Sequence, residues 1–206
     1  MTLPNQLTAL RIVLAPIFYI LFAVIDPPVY GWAVLVFLVA AITDWYDGYF
    51  ARRLGKLSAF GAFFDPLADK VLTSFAFIAF ASKGMVPTWC VILIITRDIY
   101  LTVFRMIGDA LRQPIVTSNF AKYKTFFQMT FICYVLIALM LQQAYFTPAT
   151  IGIGTAMLEP TVLWWLAIIV TALTVISAIS YTTSNYSVLK IATYRYLLKR
   201  SPQNLS

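Results

Sequence analysis

Apolar and polar positions along this chain segregate into long blocks. Six blocks of hydrocarbon side chains, roughly 7–26, 29–52, 60–82, 86–110, 120–143 and 161–185, each approach the ~20 residues a helix needs to cross a bilayer. The breaks are short: Asp26-Pro27-Pro28, a turn over 53–59, Lys83-Gly84, and Arg112 to Ser118 with Pro114. A longer one at 144–160 holds two prolines and two glycines. No tandem repeat or low-complexity tract interrupts the pattern. It predicts an all-α integral membrane protein of six transmembrane helices, folded as a single domain over 1–206. The run Ile12–Ile25 ends in Asp-Pro-Pro without a small-residue cleavage site, so it reads as a retained first span.

Composition agrees. Of 206 residues, 61% are hydrophobic and 11% charged, against about 45–50% and 25% in a soluble domain. There are 0 histidines, which removes the commonest general base and any imidazole metal site. Cys90 and Cys133 stand alone in apolar runs and read as packing residues, with neither a metal pattern nor a disulfide framework. The net charge of +7 suits contact with anionic lipid or phosphates. Its distribution sets the expected orientation. With the N-terminus cytoplasmic, the inner side collects Arg52, Arg53, Lys56, Arg112, Lys122, Lys124, Lys190, Arg195, Lys199 and Arg200, and the outer loops hold only Lys83. Six spans then put both termini inside. Tyr30, Trp32, Trp89, Tyr145, Trp164 and Trp165 fall at the expected outer ends, where amphipathic rings settle.

Acidic residues are the exception to the pattern. Four of the eight in the chain lie between Asp44 and Asp69, continuous with apolar sequence on both sides. Each carboxylate there costs roughly 2.5–3.5 kcal/mol on insertion scales, so the four demand compensation on the order of 10 kcal/mol. Asp44, Asp47, Gly48, Ala51 and Arg52 share one helical stripe, about 140° wide. Gly61, Asp65 and Asp69 recur every fourth residue on another. Two antiparallel helices joined by the turn that carries Gly55, Lys56 and Ser58 would face these stripes toward each other near the cytoplasmic surface. Oxygen-only ligands select Mg²⁺, Mn²⁺ or Ca²⁺, and two divalent cations would roughly balance four carboxylates. With histidine missing, a carboxylate is also the natural base.

Other spans carry fewer polar positions. PNQLTALR opens the first: Pro4 with Asn5 or Thr8 can start a helix, and Arg11 can snorkel to the interface. In the fourth, Arg97, Asp98, Thr102, Arg105, Asp109 and Arg112 fall within about 140° of each other, a stripe expected to face the bundle interior. Asp98 can pair with Arg97 or Arg105, and Arg112 suits an interfacial anchor. The arginine surplus fits an anionic substrate. The fifth opens SNFAKYKTFFQM, with Ser118 or Asn119 as N-cap. Lys122 and Lys124 sit where the helix dipole is already positive, so they are not placed for helix stability; they suit either a phosphate or the positive-inside bias. Gln128 suits an interhelical hydrogen bond. The sixth extends through a polar run, Tyr181 to Ser187, into a basic, aromatic interfacial end.

The pattern D-x2-D-G-x2-A-R-x8-G-x3-D-x3-D stands here without departure as Asp44, Asp47, Gly48, Ala51, Arg52, Gly61, Asp65 and Asp69. It resembles the signature of the CDP-alcohol phosphotransferases, integral membrane enzymes of phospholipid synthesis. The resemblance implies a reaction in which an alcohol attacks the β-phosphorus of a CDP-linked lipid and CMP leaves, with divalent cations, Mg²⁺ or Mn²⁺. It implies Asp44, Asp47, Asp65 and Asp69 as metal ligands, with Asp69 also the base. Gly48, Ala51 and Gly61 would let the nucleotide lie close to the helix backbones, or allow close helix packing. Arg52 would meet the pyrophosphate, with Ser58, Asn5 and Thr8 as further CDP-lipid contacts. Family members are commonly homodimers.

Three runs narrow the branch. PNQLTALR, RD-x3-TVFR and AKYKTFFQM are similar to runs of the phosphatidylglycerophosphate synthases, with Asp98 for the usual Glu and Ala121 for the usual Gly. The likeness covers 4–129 and fades afterward. It implies CDP-diacylglycerol and sn-glycerol 3-phosphate as substrates, in a bacterial cytoplasmic membrane with the site facing the cytoplasm. Arg97, Arg105, Lys122 and Lys124 are the candidates for the acceptor phosphate. Two other readings stay open: a cardiolipin synthase of the same fold, which takes phosphatidylglycerol, and a divalent-cation transporter. Confinement of the four motif carboxylates to one membrane face argues against the transporter, whose sites tend to lie at the midplane.

Overall fold

The computed structural model describes the backbone over 3–25, 29–54, 59–111, 119–143, 147–188 and 190–191, and side chains over 9–25, 29–43, 70–111, 123–143, 147–188 and 190–191. Among the described residues every regular element is helical. The elements are α1 (Leu3–Tyr19), which continues as a wider π turn over Ile20–Val24, then α2 (Tyr30–Leu54), α3 (Ala59–Ser82), α4 (Thr88–Ala110), α5 (Asn119–Leu141), α6 (Pro148–Met157) and α7 (Pro160–Ser184).

Helix α1 packs against both α2 and α3; α7 packs against α4 and α5; α3 adjoins α4 and α5 and so joins the two groups. The burial periodicity follows from the sequence. Arg11, Ala15, Phe18 and Phe22 are buried along one face of α1, and Ala33, Phe37 and Ala40 along one face of α2. The core between them is aromatic. Phe22 lies 5.3 Å from Phe80 by ring centroids, and Phe77 stacks on Phe131 at 5.8 Å, tying α1, α3 and α5 together.

The outward faces stay apolar. Trp32, Leu35, Leu38 and Ile42 of α2, Ile92, Ile99 and Val103 of α4, and Trp165, Ile169, Ile176 and Ile179 of α7 are all exposed. A soluble monomer does not show so much contiguous hydrocarbon; this is the surface of a membrane protein. Tyr123–Leu141 and Pro160–Ser184 are long and apolar enough to cross a bilayer, and Ala9–Val24, Tyr30–Thr43 and Lys70–Ser82 are shorter apolar helices within the described residues.

Two departures from the sequence reading have physical causes. The expected break at 144–160 contains α6. Thr147 caps it by accepting from the Thr150 backbone N–H, and Pro148 occupies its first turn, where a missing N–H costs nothing. Gly154 lets α6 lie on α5: a Cβ there would stand 2.7 Å from the Ala138 carbonyl oxygen. The Tyr134 hydroxyl donates to the Met157 carbonyl at 2.9 Å, closing the same contact. The second departure is Arg11, which is 3% exposed and not an interfacial anchor. Its position on the α1 face between α2 and α3 draws it inside, where it is engaged with neighbouring groups.

Candidate active site

The eight motif positions fall on two helices. Asp44, Asp47, Gly48, Ala51 and Arg52 belong to the C-terminal half of α2, and Gly61, Asp65 and Asp69 to the N-terminal half of α3. Both halves continue into the apolar segments that pack on α1. The helical register therefore keeps each set on one stripe of its helix. The side chains of these eight, of Asn5 and Thr8, and of Lys122 lie outside the described residues, as does all of Ser58. Among the described residues no cluster of three or more metal-ligating side chains occurs.

Among the described residues, a buried ionic network lies where α4, α5 and α7 meet. Asp98 of α4 is 4% exposed and Lys124 of α5 is 1% exposed. Lys124 Nζ donates to Asp98 Oδ1 at 2.5 Å, and Arg97 Nη1 donates to the same oxygen at 2.9 Å. Arg97 Nη2 reaches α7 and donates to Ser177 Oγ at 2.7 Å. Two cations thus share one carboxylate, which leaves the network net positive. Burying charge is tolerated when it is paired and hydrogen-bonded, and Asp98 supplies that pairing for both. Lys70, the residue after Asp69, acts electrostatically on both Asp98 and Lys124. The network therefore lies beside the motif end of α3.

The sequence-derived acceptor residues separate here. Arg97 and Lys124 come together on Asp98; of the two arginine partners expected for Asp98, it is Arg97 that takes the role. Arg105 is exposed on α4, as is Asp109, so the polar stripe of that helix does not face inward along its length. Below Asp98 the buried face turns to Leu101, Phe104 and Gly108, which packs on α7: Phe104 meets Tyr181 edge-on at 5.6 Å. Gln128 is buried one turn past Lys124, and its Nε2 has no hydrogen-bond partner among the described residues.

Ser177 was not singled out by sequence reasoning. A signal existed: Thr171, Thr174, Ser177 and Tyr181 recur every three or four residues in an otherwise apolar helix, and all four are buried. Small hydroxyls in a spanning helix read easily as packing, because each can satisfy itself on its own backbone. Thr171 and Thr174 do so, donating to the Ala167 and Val170 carbonyls at 2.7 Å each.

The eight motif positions lie on the consecutive helices α2 and α3, and the chain belongs to the CDP-alcohol phosphatidyltransferase family, whose model matches residues 1–154. Its relatives point to one branch. The chain is 32% identical over 200 residues to the CDP-diacylglycerol–glycerol-3-phosphate 3-phosphatidyltransferase of Bacillus subtilis, covering 91% of this chain and 97% of that protein. It is 39% identical over 134 residues to the probable phosphatidylglycerophosphate synthase of Mycobacterium tuberculosis, 61% of each chain. A Rickettsia typhi protein named like the first is 35% identical over 127 residues, 62% of this chain and 71% of its own.

Proposed function

We propose that this enzyme transfers the phosphatidyl group of CDP-diacylglycerol to sn-glycerol 3-phosphate, giving phosphatidylglycerophosphate and CMP. The observation that carries the reading is the intact eight-position motif, shared between the C-terminal half of α2 and the N-terminal half of α3. The named relatives support the choice of substrates.

The donor set fits hard cations: four carboxylates and no imidazole in the chain. Asp44, Asp47, Asp65 and Asp69 would hold two, Mg²⁺ or Mn²⁺, which when bound polarise the diphosphate and offset its charge. Arg52 and Ser58 bind the diphosphate and nucleotide, and Gly48, Ala51 and Gly61 leave room for the CDP moiety, with Asn5 and Thr8 as further contacts. Arg97, Lys124 and Lys122 attract and orient the acceptor phosphate, while Arg105, exposed on α4 two turns from Arg97, stands apart from them. Asp69 takes the proton from the acceptor hydroxyl. That oxygen bonds to the β-phosphorus as the bond to the bridging oxygen breaks, and CMP leaves with the bridging oxygen.

We read six spans with both termini cytoplasmic, in a bacterial cytoplasmic membrane, and a homodimer. Trp32, Trp89, Trp164 and Trp165 support this orientation: all are exposed and stand near the N-terminal ends of α2, α4 and α7, opposite the motif. The test is purified protein with CDP-diacylglycerol, Mg²⁺ or Mn²⁺ and a panel of alcohols, with products identified by mass. Phosphatidylglycerophosphate from glycerol 3-phosphate is the expected product. Turnover with phosphatidylglycerol and not with glycerol 3-phosphate would point to cardiolipin synthesis instead.

A further inference from the structure

Helix α7 lies beyond the segment that matches the family, residues 1–154, yet it reaches the ionic network through one side chain. We propose that Ser177 is a positioning residue for the acceptor: it fixes the Arg97 guanidinium so that this cation meets the phosphate of the acceptor alcohol. The inference rests on the function proposed above.

The geometry is directional. Ser177 is 1% exposed, and its hydroxyl proton is committed to the Thr174 carbonyl oxygen at 2.8 Å. The remaining lone pairs can only accept, and Arg97 Nη2 takes that place at 2.7 Å. Arg97 Nη1 is held by Asp98 at 2.9 Å. Anchored at two nitrogens by two different helices, the planar fork has one orientation. Arg97 Nε is buried and has no hydrogen-bond partner among the described residues. The Arg97 side chain is 9% exposed, so it samples few alternatives. Ser177 is itself fixed, because α7 is held against α4 within about a turn of the charge. Tyr181, one turn on, packs against Phe104 at 5.6 Å, and the Tyr100 and Thr182 hydroxyls lie 3.1 Å apart.

If Ser177 only filled space, alanine would do as well. If it aims Arg97, its loss leaves a buried charged donor without its acceptor, a strong effect for one hydrogen bond. The consequence belongs to acceptor binding and not to the CDP-lipid, whose assigned residues all precede α4 in the chain.

The experiment is steady-state kinetics on the full-length enzyme in mixed micelles, varying glycerol 3-phosphate and CDP-diacylglycerol separately, for wild type, Ser177→Ala, Ser177→Thr, Arg97→Gln and the double variant Arg97→Gln/Ser177→Ala. Expected for Ser177→Ala is a KM for glycerol 3-phosphate raised about 10-fold or more, with the KM for CDP-diacylglycerol within about twofold of wild type. Threonine, which keeps the hydroxyl, restores the acceptor KM. The double variant matches Arg97→Gln alone, because Ser177 acts through Arg97. An unchanged acceptor KM in Ser177→Ala, a loss confined to kcat or thermal stability, or additive effects in the double variant would each overturn the proposal while leaving the function intact. Should wild type use a different phosphate-bearing alcohol, the same measurements apply to that acceptor, and only the substrate assignment falls. Exclusive use of uncharged alcohols would remove both.

Discussion

At the scale of single residues, five of the eight acids fall into two settings. The four motif aspartates stand in helix halves whose register aligns them, while Asp98 neutralises buried cations. Asp98 is the more predictable in stability. Its carboxylate accepts from both Lys124 and Arg97, so Asp98→Ala strands two charges in the interior. We expect a loss of about 3–5 kcal/mol, read as a lowered unfolding temperature in detergent, with Asp98→Glu far milder. Asp69 is the more predictable in chemistry. Asp69→Asn should keep binding of CDP-diacylglycerol and lose about 10²-fold or more in turnover, as expected when a general base is removed; unchanged turnover removes Asp69 from that role. The motif was legible because its four aspartates and its arginine are costly in an apolar setting and therefore conspicuous. Ser177 was not, since a serine in an apolar helix carries no such cost and its partner is 80 residues away.

At the scale of elements, the long apolar blocks gave six helices whose ends differ from α1–α5 and α7 by a few residues. Their side chains leave little choice: a long uninterrupted apolar run satisfies its own backbone groups best as a helix. Helix α6 escaped because its two glycines and its proline have two meanings. In a water-exposed loop they break structure; beside α5 the same glycine admits a neighbouring backbone. The two α6 glycines separate these meanings. Gly154→Ala places a Cβ 2.7 Å from the Ala138 oxygen, whereas Gly152 has nothing within 4 Å. Gly154→Ala should destabilise by about 1–3 kcal/mol, and Gly152→Ala should be neutral or stabilising by up to about 1 kcal/mol. Thermal unfolding of the pair of variants checks this; equal effects would mean that α6 does not pack on α5 as described.

At the scale of the whole molecule, charge and aromatic residues divide the bundle into two ends. Lys83, in the turn between α3 and α4, stands near the exposed tryptophans, and the motif lies at the opposite end. In oriented membranes a Lys83→Cys variant should react with an impermeant thiol reagent from outside, and Lys190→Cys only from the cytoplasmic side, both in a background lacking Cys90 and Cys133. The reverse pattern would invert the topology. That the carboxylates of α2 and α3 face each other is an expectation of the sequence, because helical register aligns residues along one helix but does not orient one helix against another. The most direct measurement is therefore anomalous diffraction from crystals of the enzyme grown with CDP-diacylglycerol and Mn²⁺. The account predicts two manganese peaks about 4 Å apart, each ligated by aspartates from both α2 and α3 and both touching the diphosphate. Peaks bound by one helix alone, or carboxylates turned to lipid with no manganese between the helices, would contradict it.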